Sequence, residues 1–466
     1  MNPHIFRAYD IRGDADRDLP DAVVLAIGRG IGLLACQRTG IDAPARQPVL
    51  VVGRDARLSS LRIRDALVDG LRTVGVHVVD VGICATPMVY FAAHTFGVDG
   101  GVMVTGSHNP APDNGLKVTL GGMSLHGEDI QSIKALAYEI PTICDPGSLT
   151  DRDVHVPYVD WISENIGVLA NRKLRVVVDA GNGPTGPVAP GLLRRLGCEV
   201  IELFCEPDGR FPNHHPDPTV AENLVDLQAA VALHGADLGV AYDGDGDRIG
   251  VVDERGGILW GDRLMVILSR ALLRVVPGAA IVAEVKCSQT LFDDIAARGG
   301  RAVMSRVGHS LIKDRMRQEG AALAGEMSGH IFYKHRYFGY DDAMYTTCRL
   351  LEILAATDAP LSSLLADLPL MHATPELRLP CPDEAKFRVV ERVTEQFRST
   401  HEVIDIDGVR VRFADGWGLV RASNTGPILV LRCEATTAAG RDRIRAELTA
   451  AVERVQGAPL AHAVHA

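Results

Sequence analysis

The chain has no surplus of positive charge: 48 Lys and Arg stand against 59 Asp and Glu, a formal net charge of −11. Attraction to nucleic acid or to an anionic membrane needs clustered Lys and Arg in excess. Neither partner is expected, although a local basic pocket for a phosphorylated small molecule remains compatible with this charge. Long apolar runs are also missing. Segment 1–10 has no apolar core of the kind a secretory leader carries, and the longest uncharged stretch, 81–98, is interrupted by Gly82, Pro87 and His94. Export and membrane spanning are therefore not expected. The nine cysteines, at 36, 84, 144, 198, 205, 287, 348, 381 and 433, form no C-x-x-C pair and are odd in number. A reduced, cytoplasmic chain is the plain expectation.

What is present is a soluble globular composition, 47% apolar and 23% charged, over 466 residues. At roughly 100–150 residues per domain this length implies about three or four domains. One unit recurs three times in diverged form. Each copy opens on a strand and a small-residue turn, at 49–55, 174–180 and 280–286, and continues through a helix-length segment to a second strand, at 77–81, 199–204 and 301–305. A third strand, at 101–104, 238–241 and 321–324, then runs into a polar loop. This alternation predicts three related doubly wound α/β units with mainly parallel sheets, helices covering both faces. Turn residues place the boundaries so that the domains span 1–150, 151–255, 256–368 and 369–466. The last piece has a different rhythm, helix, alternating strands, helix, and reads as an α+β domain.

The loops carry the chemistry. Thr105-Gly-Ser-His-Asn-Pro110 presents Ser107 directly after an apolar strand, where doubly wound proteins place functional groups. A hydrolase elbow G-x-S-x-G would need Gly at 105 and 109, which are Thr105 and Asn109. In Tyr242-Asp-Gly-Asp-Gly-Asp-Arg248 three carboxylates alternate with glycine, so a loop can turn all three towards one point, tolerable only around a hard cation. An EF-hand is rejected, because Arg248 stands where its sharp turn wants Gly. In Gly325-Glu-Met-Ser-Gly-His330, Glu326 and Ser328 can face the same way to meet neighbouring sugar hydroxyls, and His330, or His309 in Arg306-Val-Gly-His-Ser310, can exchange a proton near neutral pH. Arg421-Ala-Ser-Asn-Thr-Gly-Pro427 offers a guanidinium with hydroxyl, amide and backbone donors, suited to phosphate. Arg12, Lys117, Arg248, Lys286 and Arg421 are candidate cations, four of them at or just beyond strand-end loops, and Arg12 is taken with Tyr9.

Four motifs in this order, 105–110, 243–248, 325–330 and 421–427, make the chain resemble the α-D-phosphohexomutases, most closely their phosphomannomutase/phosphoglucomutase branch. The resemblance spans essentially the full length. It implies four domains around a central cleft, phosphoserine at Ser107, and Mg²⁺ held by Asp243, Asp245, Asp247 and a phosphate oxygen on Ser107. It implies catalytic parts for His108, Lys117, Arg248, His330 and His309. Substrate contacts are implied for Tyr9, Arg12, Lys286, Arg306, Gly308, Glu326, Ser328, Arg421, Ser423, Asn424 and Thr425. The expected reaction is reversible phosphoryl transfer between C1 and C6 of mannose or glucose phosphates through a 1,6-bisphosphate, with glucose or mannose 1,6-bisphosphate as activator. The sugar loop, with Met327, is similar to that of the mannose/glucose branch, whereas phosphoglucosamine mutases usually carry Gln there; because one residue separates the two, phosphoglucosamine mutase activity stands as the alternative. A phosphoserine-dependent sugar phosphatase and a non-catalytic sugar-phosphate sensor are the remaining rivals. A monomer acting on hexose phosphates is expected.

Overall fold

The computed structural model describes residues 1–39, 46–139, 145–169, 172–424, 426–457 and the backbone of 464–465. The chain forms two compact units, Met1–Leu264 with Ser328–Leu364, and Met265–Met327 with Leu365–Ala466.

The first unit holds two sheets. In the first, Val49–Arg54 lies between His77–Ile83 and Gly100–Val104, parallel to both. In the second, Arg175–Asp179 lies between Glu199–Leu203 and Leu238–Tyr242 in the same way. Gly100–Val104 and Leu238–Tyr242 are buried at every position, the physical reason their sequences are unbroken apolar runs: helices cover both faces of a parallel sheet. The repeat seen in the sequence thus corresponds to the parallel cores. It did not contain the return strands. Asp113–Leu120 runs back antiparallel to Gly100–Val104, and Ile249–Asp253 runs back antiparallel to Leu238–Tyr242. The serine loop and the aspartate loop are therefore hairpin connections at the same end of equivalent strands. Ile11–Asp14 pairs antiparallel with Asp113–Leu120, setting Arg12 opposite Gly115.

Among the described residues one helix, Asp21–Thr39, has the length and hydropathy to cross a membrane. Its Val24, Ile27, Ile31 and Leu34 are buried in one cluster with Ile63, Leu67 and Leu71 of the helix Ser60–Thr73. Its apolarity is that of a core helix.

In the second unit Ala280–Glu284 lies between Arg301–Ser305 and Leu323–Gly325, parallel to both. The remaining part is an antiparallel sheet running Val403–Ile404, Val409–Phe413, Gly416–Ala422, Ile428–Ala435 and Leu377–Pro380. Helices Lys386–Arg398 and Ala438–Gln456 pack on it through Val393, Phe397, Ile444 and Leu448. This is the expected α+β domain.

Candidate active site

The hairpin positions of the two loops bring Ser107 to the aspartates. Ser107 is 1% exposed and its Oγ donates to Asp243 Oδ2 at 2.8 Å, across 136 residues of chain. The close approach requires glycine at 244, where a Cβ would stand 2.3 Å from the Ser107 carbonyl oxygen. Ser107 itself has φ +49°, a left-handed conformation that is disfavoured for a residue with Cβ and clusters at functional sites. The other Asp243 oxygen accepts the N–H groups of Gly246, Asp247 and Arg248 at 3.0–3.1 Å, which folds the aspartate loop on itself.

Asp243, Asp245 and Asp247 are all fully buried, each offering an oxygen within 4.8 Å of the others. Burial and the repulsion of Asp245 and Asp247 push the Asp243 carboxyl well above the usual range. Lys117 opposes this charge: its Nζ donates to Asp245 Oδ2 at 2.7 Å and to Asp247 Oδ2. Burial alone would depress the Lys117 ammonium, but Asp245 and Asp247 outweigh it and raise its pKa well above normal. Lys117 is not in a loop. It lies inside the return strand Asp113–Leu120, opposite Met103, and is 5% exposed. The Oδ1 atoms of Asp245 and Asp247 are buried without a hydrogen bond. An ammonium on one oxygen of each carboxylate, with the second oxygens unbonded, fits a donor set completed by a divalent cation.

His330 and Arg248 stand beside this trio. Arg248 Nε donates to His330 Nε2 at 2.9 Å, and His330 Nδ1 lies 2.9 Å from Asp341 Oδ2 and 3.5 Å from Asp247 Oδ1. Burial would lower the His330 pKa, yet Asp247 and Asp341 raise it. His108 is the opposite case: burial and Arg248 hold its imidazole neutral, 3.2 Å from Ser107 Oγ. Arg12 donates to Asn109 Oδ1 at 2.7 Å, so the N-terminal strand touches the serine loop; Tyr9 and Ser328 are half-buried in this unit.

The other expected residues belong to the second unit. Glu326 accepts the Gly308 N–H at 2.7 Å. Arg306 is exposed and donates from Nε to the Ile406 carbonyl at 3.2 Å. His309 opens the helix His309–Glu319, so the two candidate histidines lie in different units, His330 in the one that holds Ser107. Lys286 pairs with Glu376 at 3.1 Å. Arg421 lies within the strand Gly416–Ala422 and pairs with Asp407 at 3.1 Å. Ser423 is buried and Asn424 half-buried; Thr425 lies outside the described residues.

Several residues in contact with these candidates gave no signal as motifs. Asp341 is found only through its pairing with His330. Glu284 is fully buried, accepts the Met327 N–H at 2.8 Å and lies 3.6 Å from Lys286. Burial pushes its carboxyl up to about 7, against the opposing pull of Lys286. A carboxyl raised in this way stabilises the fold below its ordinary value of 4.5 and loses that contribution as pH rises through 7. Glu284→Gln is thus expected to melt above the native chain at pH 8, with the difference shrinking toward pH 5. A lower melting temperature at pH 8 would mean that the Lys286 pairing dominates.

A buried hydroxyl, three converging carboxylates and a neutralising ammonium have the chemistry of metal-assisted phosphoryl transfer, on a fold of repeated α/β units. Family comparison makes this specific. Residues 3–142, 156–257 and 260–371 match phosphoglucomutase/phosphomannomutase alpha/beta/alpha domains I, II and III, and 376–451 match the C-terminal domain. A phosphomannomutase/phosphoglucomutase of Pseudomonas syringae pv. tomato is 46% identical over 97% of this chain and 95% of that protein. A phosphoglucomutase of Neisseria gonorrhoeae is 45% identical over 96% of each. The crystal structure of a phosphoglucomutase/phosphomannomutase family protein from Burkholderia thailandensis is similar, with TM-score 0.90 and 42% identity, covering 98% of this chain and 99% of that one. The chain belongs to the phosphoglucomutase/phosphomannomutase family, the α-D-phosphohexomutases, and is an isomerase of that family.

Proposed function

We propose that this chain interconverts the 1- and 6-phosphates of glucose and mannose, with Ser107 as the group that gives and takes the phosphoryl. The observation that carries the reading is the 2.8 Å hydrogen bond from Ser107 Oγ into the aspartate trio. The two sugar oxygens lie at opposite ends of the hexose, so transfer through a protein-bound phosphate replaces an impossible internal jump. In the first half-reaction the free sugar hydroxyl oxygen bonds to phosphorus as the Ser107 Oγ–P bond breaks; the hydroxyl proton passes to a base and a proton returns to Ser107 Oγ. The 1,6-bisphosphate then turns end for end. In the second half-reaction Ser107 Oγ, losing its proton, bonds to the other phosphorus, and the departing sugar oxygen is protonated.

Lys117 and Arg248 supply fixed positive charge beside the transferred group. Mg²⁺ held by Asp243, Asp245 and Asp247 would add charge neutralisation there. His330, oriented by Asp341, is the favoured proton acceptor, and His309 the second candidate. Glu326 and Ser328 are assigned to the O3 and O4 hydroxyls, alike in glucose and mannose, and Lys286, Arg306, Gly308, Arg421, Ser423, Asn424 and Thr425, with Tyr9 and Arg12, to sugar and distal phosphate. Glucose or mannose 1,6-bisphosphate would prime Ser107. A net charge of −11 supports a cytoplasmic enzyme, which we take to be a monomer without nucleic-acid or membrane partners. The test is an assay with glucose, mannose and glucosamine 1-phosphates, each with Mg²⁺ and glucose 1,6-bisphosphate. Turnover of the first two with no free phosphate is expected. Preference for the glucosamine ester would move the chain to the neighbouring branch, and stoichiometric phosphate release would make it a phosphatase.

A further inference from the structure

The left-handed conformation of Ser107 is held from outside its own loop. Beneath the loop lies Arg57, whose side chain is 0% exposed. One terminal nitrogen of its guanidinium donates to the carbonyl oxygens of Pro110 at 2.6 Å and Asp113 at 2.9 Å, and the other to those of Ser107 and Asn109, both at 2.6 Å. Arg57 Nε lies 3.2 Å from Asp55 Oδ2, and that same oxygen accepts the Gly106 N–H at 3.1 Å. Asp55 is fixed in turn by the Ser60 hydroxyl and by the Arg57 N–H. Gly106 leaves the space: a Cβ there would stand 2.5 Å from Arg57 Cζ. Thr105 Oγ1 holds the Ser107 N–H at 2.8 Å. The polar backbone of the loop is thereby tied down on its inner side.

A fully buried guanidinium has no face left for sugar or phosphate, and its burial is costly unless it is paired and hydrogen-bonded. Here four donations converge on one seven-residue stretch. Burial lowers the Arg57 pKa while Asp55 and Asp245 oppose the change. A lysine at this position would bring charge without the planar fork that serves four carbonyls at once.

We propose that Arg57 is a positioning residue for phosphoryl transfer: by gathering the carbonyl oxygens of Ser107, Asn109, Pro110 and Asp113 it fixes Ser107 with Oγ against Asp243, and so sets the rate at which Ser107 exchanges the phosphoryl group. The inference rests on the phosphoserine reading above. Each exchange forms one O–P bond as another breaks, and a displacement of the nucleophile by ~1 Å costs about 10²-fold in rate.

The experiment compares Arg57→Lys and Asp55→Asn with the native chain. Phosphorylation of Ser107 by glucose 1,6-bisphosphate is followed in a single turnover by intact mass, alongside kcat, KM and thermal unfolding. In Arg57→Lys, Ser107 phosphorylation and kcat are expected to fall together by about 10²-fold, with KM changed by no more than about threefold and unfolding still cooperative. Asp55→Asn, which keeps the shape but loses the charge pair, is expected to lie between it and the native chain. Native rates of phosphorylation in Arg57→Lys, or loss of cooperative unfolding in both variants, would overturn the assignment and leave Arg57 a stabilising residue. Failure of the phosphoserine reading itself is distinguishable, because the native chain would then gain no phosphate at Ser107.

Discussion

Ser107→Ala is expected to lower kcat by roughly 10⁴–10⁶-fold, the range reached when a covalent nucleophile is deleted, while glucose 1-phosphate still binds. The side chain removed is one oxygen, buried and hydrogen-bonded only within the site: to Asp243 at 2.8 Å and beside His108 at 3.2 Å. Two hydroxyls near the site are already engaged. Thr105 is on the preceding strand end with its Oγ1 engaged by the Ser107 N–H, and Thr86 Oγ1 donates to Asp245. Calorimetry should give substrate affinity close to native, and intact mass should detect no phosphate after incubation with glucose 1,6-bisphosphate. An unchanged kcat would remove Ser107 from the reaction and, with it, the proposed path through the bisphosphate.

What the sequence made legible follows from locality. The trio Asp243, Asp245 and Asp247 was readable because alternation with glycine is a pattern within six residues, and Ser107 because it follows a fully buried strand whose sequence has no polar interruption. The fourth domain was readable because Val409–Phe413 alternates and Lys386–Arg398 is amphipathic. Asp341, Arg57 and Glu284 were not readable. Each acts through a partner distant in sequence: Arg57 on carbonyls 50 to 56 residues away, and Glu284 on a backbone N–H 43 residues away. No spacing rule reports a contact that only sheet order creates. Lys117 shows the intermediate case. Its residue type marked it as a candidate, but Asp113-Asn-Gly-Leu-Lys-Val-Thr-Leu120 begins like a turn, so the strand that buries it was hidden. Similarly, the parallel repeat was legible while the return strands were not, although it is the return strands that make both functional loops hairpins.

Lys117→Met is expected to produce the second-largest change, and one that separates electrostatics from packing. The ammonium is 5% exposed and shared between two fully buried carboxylates. Its removal takes away the counter-ion bonded to two of the carboxylates and leaves Arg248 and His330 beside the cluster. Breaking a buried pair by deleting one partner costs about 3–5 kcal/mol, so the chelated variant should melt well below the native chain, part of the loss being relieved as the trio takes up a proton. A divalent cation and the Lys117 ammonium answer the same carboxylates. Mg²⁺ should therefore raise the melting temperature of Lys117→Met by more than it raises that of the native chain. Turnover with saturating Mg²⁺ should still fall by about 10²–10³-fold, the usual loss when one fixed group that stabilises transition-state charge is removed. The two measurements are independent. Recovery of both stability and kcat by Mg²⁺ would make Lys117 a substitute for the cation in the resting protein only, whereas recovery of stability without kcat places its charge on the transferring phosphoryl group.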